Sequence, residues 1–204
     1  MANRSRTEEV PVSQPPRILA FAGSARAASF NKKLITAAAQ AGRQAGAQVT
    51  QIDLADFPLP IYHGDLEANE GLPDNARKLK DTFLGHDALM IASPEYNSGY
   101  SALLKNTIDW VSRPVKGEPA LACFAGKTAL IMSASPGALG GLRGLVQLRS
   151  VLSNISVLVL PEQVAISKAD SAFGPDGAIL DAATRDRLAA AASRLASVAG
   201  RLRG

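Results

Sequence analysis

From Arg17 onward the chain alternates short apolar runs with stretches of helical spacing, and that alternation admits few folds. Ile18 to Ala22 is an unbroken apolar run closed by Gly23, the pattern of a strand buried on both faces. Ser29 to Ala45 places Leu34, Ala38, Ala41 and Ala45 at helical spacing, and Gly46 stops it. Val49 to Leu54 predicts a second strand. A turn-rich stretch from Pro58 to Pro73 precedes a polar helix over Asp74 to Leu84. Ala88 to Ala92 reads as a third strand, and Leu104, Ile108 and Val111 mark the next helix. The loop Pro114 to Gly126 then leads to a fourth strand, Thr128 to Ser133. A helix over Leu142 to Leu152 is followed by a fifth strand, Val157 to Leu160, broken at Pro161 and resumed over Val164 to Ile166. The last segment, Asp181 to Gly204, carries Leu188, Ala191, Ala192, Leu195, Ala199 and Leu202 on one stripe. Five strands alternating with five helices predict an α/β fold, a three-layer, doubly wound, five-stranded parallel sheet. No repeat or linker divides it, so one domain is expected over 17–204, behind a flexible or extended tail of residues 1–16.

Composition narrows the chemistry. Apolar residues are 47% of the chain, enough for a sizeable core, but only one Trp, three Tyr and six Phe are present, so that core must be aliphatic. One cysteine and two histidines exclude a disulfide scaffold, a four-cysteine zinc site and a His-rich metal centre. The net charge is +4, and the segment Asp181 to Gly204, with five arginines against two aspartates, supplies +3 of it. No interleaved aromatics or reading motif accompany those arginines, so they read as the solvated face of a terminal helix and not as a nucleic-acid surface. No run approaches the ~20 apolar residues of a membrane helix, and the N-terminus lacks the apolar core of a signal peptide. The expectation is a cytoplasmic protein with no membrane or nucleic-acid partner.

In doubly wound sheets, ligands bind beyond the carboxyl ends of the strands. The loop after the first strand is GSARAASFN, Gly23 to Asn31, opening a helix whose first amides are unpaired donors at the positive end of its dipole. Ser24, Ser29 and Asn31 add side-chain donors, and Arg26 can grip a phosphate through two parallel hydrogen bonds. This set suits a phosphomonoester, although it is neither GxGxxG nor a P-loop. After the third strand comes SPEYN, Ser93 to Asn97. Pro94 turns the chain away and exposes backbone groups, while Glu95 and Tyr96 could frame a flat ligand or reach a neighbouring subunit. After the fourth comes SASPGALGGLRG, Ser133 to Gly144, whose glycines admit close approach to the backbone.

Other features lead nowhere at this level. Gly126-Lys127-Thr128 looks like the end of a Walker motif, but position 121 is Leu and Lys127-Thr128 opens a strand. There is no GxSxG elbow. His63 and His86 read as surface or boundary residues, and Cys123 as a small packing residue.

Together GSARAASFN, SPEYNSGYSALLKNTIDW and SASPGALGGLRG resemble the NADPH-dependent FMN reductase family, specifically its chromate and quinone reductase-like branch, from Arg17 to about Asp181. The resemblance implies a flavodoxin-like fold with strand order 2-1-3-4-5, assembled as a homodimer or homotetramer. It implies non-covalent FMN, with the phosphate on Ser24, Arg26, Ser29 and Asn31 and the ring against Pro94, Glu95, Tyr96 and Asn97. Ser135, Pro136, Gly137, Gly140 and Gly141 would close the other side. NADPH or NADH would be the co-substrate and small-molecule electron acceptors the partners, quinones foremost, with azo dyes and chromate as further candidates. Turnover would be ping-pong on the flavin, with no protein side chain as acid or base. One departure is Ser101-Ala102, where the family often has Pro-Gly, implying a less rigid entry to the helix. The competing reading is a flavin-binding electron carrier. Such proteins are usually strongly acidic and generally lack an equivalent of Arg26, and the charge of +4 argues against it.

Overall fold

The structure, a computed structural model, describes residues 14–203. Most of the tail expected over 1–16 therefore lies outside the described residues. Strand β1 (Arg17–Ala22) leads to helix α1 (Phe30–Gln44), then β2 (Gln48–Asp53), a short 3-10 turn (Leu54–Asp56), α2 (Gly64–Glu70), α3 (Asp74–Leu84) and β3 (Ala88–Ala92). Two short strands, β4 (Glu95–Tyr96) and β5 (Gly99–Tyr100), precede α4 (Ala102–Val111). The chain continues through β6 (Thr128–Ala134), α5 (Leu142–Asn154), β7 (Leu158–Ile166), α6 (Ala169–Ala172) and α7 (Ala182–Leu202).

The main sheet is parallel in the order β2-β1-β3-β6-β7. It differs in numbering from the expected 2-1-3-4-5 because β4 and β5, too short for hydrophobic periodicity to reveal, form a separate antiparallel hairpin between β3 and α4. The three central strands are buried almost throughout, as their apolar runs require, while β2 at the edge is largely polar and half-exposed. The opposite edge, β7, is one strand and not two. Between the pairs Ala129↔Val159 and Ile131↔Gln163 its register shifts, and the irregularity takes up Pro161, which cannot donate to the ladder.

Alternate residues of each central strand face opposite layers. Ile18, Ala20, Met90, Leu130 and Met132 pack under α1 and α7, where alanines such as Ala38, Ala191, Ala192 and Ala199 let the helices come close. Leu19, Phe21, Leu89, Ile91 and Ile131 face α3, α4 and α5. Here Phe83 packs on Phe21 at 5.4 Å and on Phe124 at 5.5 Å, three of the few aromatics in one cluster. Leu202, expected on the buried stripe of α7, is 57% exposed at the last residue of the helix. The turn-rich stretch before Pro73 contains α2, capped by His63, whose Nδ1 accepts from the Leu66 amide at 3.2 Å. No described helix is long and apolar enough to cross a membrane.

Candidate active site at the carboxyl edge of the sheet

The carboxyl ends of β1, β3 and β6 are stitched side by side. The Gly23 amide donates to Ala92 O at 2.9 Å, the Ser93 amide to Met132 O at 2.9 Å, and the Ser135 amide to Ile166 O at 3.0 Å. This brings the three candidate loops around a narrow cleft of about 110 Å³. Ser24, Arg26, Ser29, Asn31, Pro94, Glu95, Tyr96, Ser135 and Pro136 line it, together with Phe30 and Ala134, which sequence reasoning had not singled out. A larger groove of about 400 Å³ runs along the outward face of α1 between Lys33 and Asp176 and shares Ser29 with the cleft.

Ser29 stands at the N-cap position of α1 with extended backbone (φ −77°, ψ 128°), buried, yet its hydroxyl makes no capping bond. No carboxylate occupies the first turn of that helix. Ser24 Oγ accepts from the Arg26 amide at 3.4 Å, and the Arg26 guanidinium, exposed, donates to Ala28 O at 2.8 Å and lies 5.9 Å from the Phe30 ring centre. Asn31 is engaged elsewhere. Its Nδ2 donates to Ala134 O at 2.9 Å and its Oδ1 accepts from the Ala134 amide at 3.0 Å, so the side chain locks the start of α1 to the end of β6. Lys32 is likewise taken by Asp53, 2.5 Å away.

Beyond β3, Asn97 (φ 50°) and Ser98 (φ 67°) make the two-residue turn of the β4–β5 hairpin, both left-handed as a type I′ turn demands. Asn97 therefore sits in the turn and does not line the cleft. Glu95 does not reach outward. Its Oε1 accepts from Arg143 Nε at 2.9 Å and Nη2 at 2.6 Å, and its Oε2 accepts from the Gly144 amide at 3.0 Å, in the first turn of α5. The carboxylate thereby clasps the hairpin to α5. Burial pushes the Glu95 pKa up, but the Gly144 amide and Arg143 outweigh it and hold the carboxyl below its usual range. Tyr96, by contrast, is 59% exposed at the rim.

Ser101 replaces flexibility with an anchor. Its Oγ donates to Gly23 O at 2.6 Å and accepts from the Leu104 amide at 3.1 Å, capping α4 and tying it to the end of β1. The less rigid entry expected from Ser101-Ala102 is thus not found. In the last loop, Ser135 Oγ accepts from the Gly137 amide at 3.3 Å. Gly140 (φ 61°) and Gly141 (φ 89°) face the protein, not the cleft. A Cβ on Gly140 would lie 2.7–2.9 Å from the backbone of Ile166 and Ser167, and one on Gly141 would lie 1.8 Å from Ser133 Oγ. The close approach these glycines permit is that of the chain to itself.

A clasp built on a carboxylate has a pH signature. Because the native pKa of Glu95 is depressed, its contribution is complete above the unfolded-state value of about 4.3 and is lost as pH falls through the native value. In urea unfolding, the stability gap between wild type and Glu95→Gln is expected to be constant from pH 6 to 8 and to close as pH falls from about 5 to 3. A gap that stays open at pH 3 would remove the charge from the explanation.

The family described as NADPH-dependent FMN reductase matches residues 16–171. The chain belongs to that family. An NAD(P)H-dependent FMN reductase of Pseudomonas aeruginosa is 35% identical over 195 residues, covering 95% of this chain and 100% of the relative. An NADPH:quinone oxidoreductase of Arabidopsis thaliana is 33% identical over 193 residues, covering 92% and 94%. Among solved structures, the flavoenzyme NAD(P)H:(acceptor) oxidoreductase FerB of Paracoccus denitrificans superposes with a TM-score of 0.77 at 26% identity over 91% of this chain and 98% of that one.

The donor chemistry of this FMN reductase family member fits a flavin phosphate. A buried, uncommitted Ser29 hydroxyl, the first-turn amides of α1, Ser24 and a guanidinium converge on the cleft, and the carboxylate there, Glu95, is taken up by Arg143 and the Gly144 amide.

Proposed function

We propose that this protein is an NAD(P)H-dependent FMN reductase that delivers electrons to quinones and similar small acceptors. The observation that carries the reading is the cradle at the start of α1, a phosphate site without GxGxxG or a P-loop, set beside the β4–β5 hairpin. Ser24, Arg26, Ser29 and the first-turn amides of α1 would hold the FMN phosphate. Asn31 serves indirectly, by fixing the cradle to β6 through Ala134. Pro94, Glu95 and Tyr96 on one side and Ser135 and Pro136 on the other would frame the ring. When bound, FMN supplies the two-electron chemistry that couples nicotinamide oxidation to acceptor reduction.

The chain's own part is positional. Glu95, fixed by Arg143 and Gly144, sets the hairpin at a constant distance from α5 and keeps its carboxylate ionised and engaged on that helix. Ser101 fixes α4 against β1 beneath the same hairpin. Specificity rests on shape, and the exposed Tyr96 offers a flat apolar surface to planar acceptors.

The exposed apolar side chains Tyr96, Leu139, Leu142 and Val146 follow one another along the hairpin, the glycine loop and α5. They support assembly as a homodimer or homotetramer through this rim, one domain spanning 17–204 in each subunit, and we place the enzyme in the cytoplasm. In the test, purified protein carries FMN that is released on denaturation, and adding a benzoquinone starts NADPH consumption in proportion to enzyme. A flavin-loaded protein that consumes no nicotinamide would instead be an electron carrier.

A further inference from the structure

At the amino ends of the strands, the end opposite the flavin cradle, a second cavity of about 390 Å³ opens between the last turn of α7 and the starts of β1, β3 and β6. Its charge is one-sided. Arg17 and Arg203 both grip Asp87, through Arg17 Nη2 to Oδ1 at 2.9 Å and Arg203 Nε to Oδ2 at 3.2 Å, and Lys127 adds a third cation. Three cations on one carboxylate leave two positive charges at the cavity. The carboxyl end of α7 returns only about half a negative charge.

The inner wall is short of partners. Lys127 is 7% exposed, and among the described residues its ammonium donates only to His86 O, which leaves two of its three N–H groups over. Beside it Thr128, 1% exposed, has a hydroxyl with no hydrogen-bond partner in the described structure. Lys127 and Thr128 both line the cavity, which spans the strand starts from Leu84 and His86 on one side to Ala199 and Leu202 on the other. A buried ammonium short of partners and a buried hydroxyl without one are both costly, unless a negatively charged acceptor meets them. Burial also holds Lys127 below the usual lysine range, against the opposing pull of Cys123 and Asp87.

We propose that this cavity binds an oxyanion of the phosphate class, met on its inner wall by Lys127 and Thr128 and at its mouth by Arg17 and Arg203. The Lys-Thr pair that the sequence offers as a false Walker ending is, on this reading, an anion site of another kind, made of side chains at a strand start. The proposal stands apart from the flavin reading. The cavity has room for inorganic phosphate or for the phosphate of a nucleotide, two sources of one chemistry.

The test uses FMN-loaded enzyme, so that the cradle is filled, in buffers where phosphate replaces chloride at fixed ionic strength. Phosphate is expected to raise Tm in step with the logarithm of 1 + [phosphate]/Kd, by about 3–6 °C at ten times its dissociation constant. Lys127→Met and the near-isosteric Thr128→Val each lose most of that increment. A ten-fold tighter response to adenosine monophosphate would assign the site to a nucleotide, and an equal response to the free ion. No increment over chloride, or the same increment in Lys127→Met and Thr128→Val as in wild type, overturns the proposal.

Discussion

Arg26→Ala is expected to weaken FMN binding by about 1.5–3 kcal/mol, roughly 10- to 150-fold, through the loss of a charge-assisted contact to the phosphate. The fold should tolerate the change. The guanidinium is exposed, its one hydrogen bond goes to the nearby Ala28 carbonyl, and its 5.9 Å approach to Phe30 is a surface contact. Fluorescence titration of apoprotein with FMN measures the loss, and urea unfolding checks that stability stays within about 0.5 kcal/mol. Arg26→Lys should recover only part of the affinity, because an ammonium cannot make two parallel bonds to one phosphate. An alanine variant that binds FMN as tightly as wild type would show that Ser24, Ser29 and the α1 amides carry the phosphate alone.

The place of Arg26 on the cleft was legible from sequence because the feature that positions it is local. A glycine after an apolar run, then a serine before a helix, needs nine residues and no tertiary contact to interpret. The three central strands were legible for a related reason: burial on both faces removes polar residues and leaves an unbroken signature in β1, β3 and β6. What escaped was set by distance along the chain. Asn31 reads as a phosphate ligand until its amide is seen on Ala134, 103 residues away. Glu95 reads as an outward-facing acid until Gly144, 49 residues away, is found under it.

The hairpin escaped for a different reason. Two strands of two residues each carry no periodicity, although Asn97-Ser98-Gly99 between Tyr96 and Tyr100 holds the turn residues that a two-residue connection favours. Pro161 misled in the opposite sense. It suggested a break in β7 that an edge strand absorbs with a register shift. The cradle is thus a property of short sequence, while the clasp that holds the facing wall exists only in the folded chain.

That wall is where the second large effect is expected. Gly140→Ala should destabilise the protein by about 2–5 kcal/mol, from two sources that act together. A left-handed alanine costs about 1–2 kcal/mol, and φ at this position is +61°. The new Cβ would also sit 2.7 Å from Ile166 C and 2.8 Å from Ser167 N, main-chain atoms that cannot rotate aside, and such overpacking adds about 1–3 kcal/mol. Relief requires the loop to lift from β7, which pulls on the Ser135 amide bonded to Ile166 O and so moves the wall formed by Ser135 and Pro136. FMN affinity should therefore fall along with stability, although Gly140 does not line the cleft. Gly137→Ala is the control in the same loop. Its Cβ would meet nothing closer than Ser135 Oγ at 3.6 Å, so unfolding should shift by no more than about 0.5 kcal/mol. Urea unfolding and FMN titration of the two variants together separate a loop held by contact with β7 from one whose glycines merely leave it free. Equal behaviour of the two would favour the free loop and remove Gly140 from the support of the site.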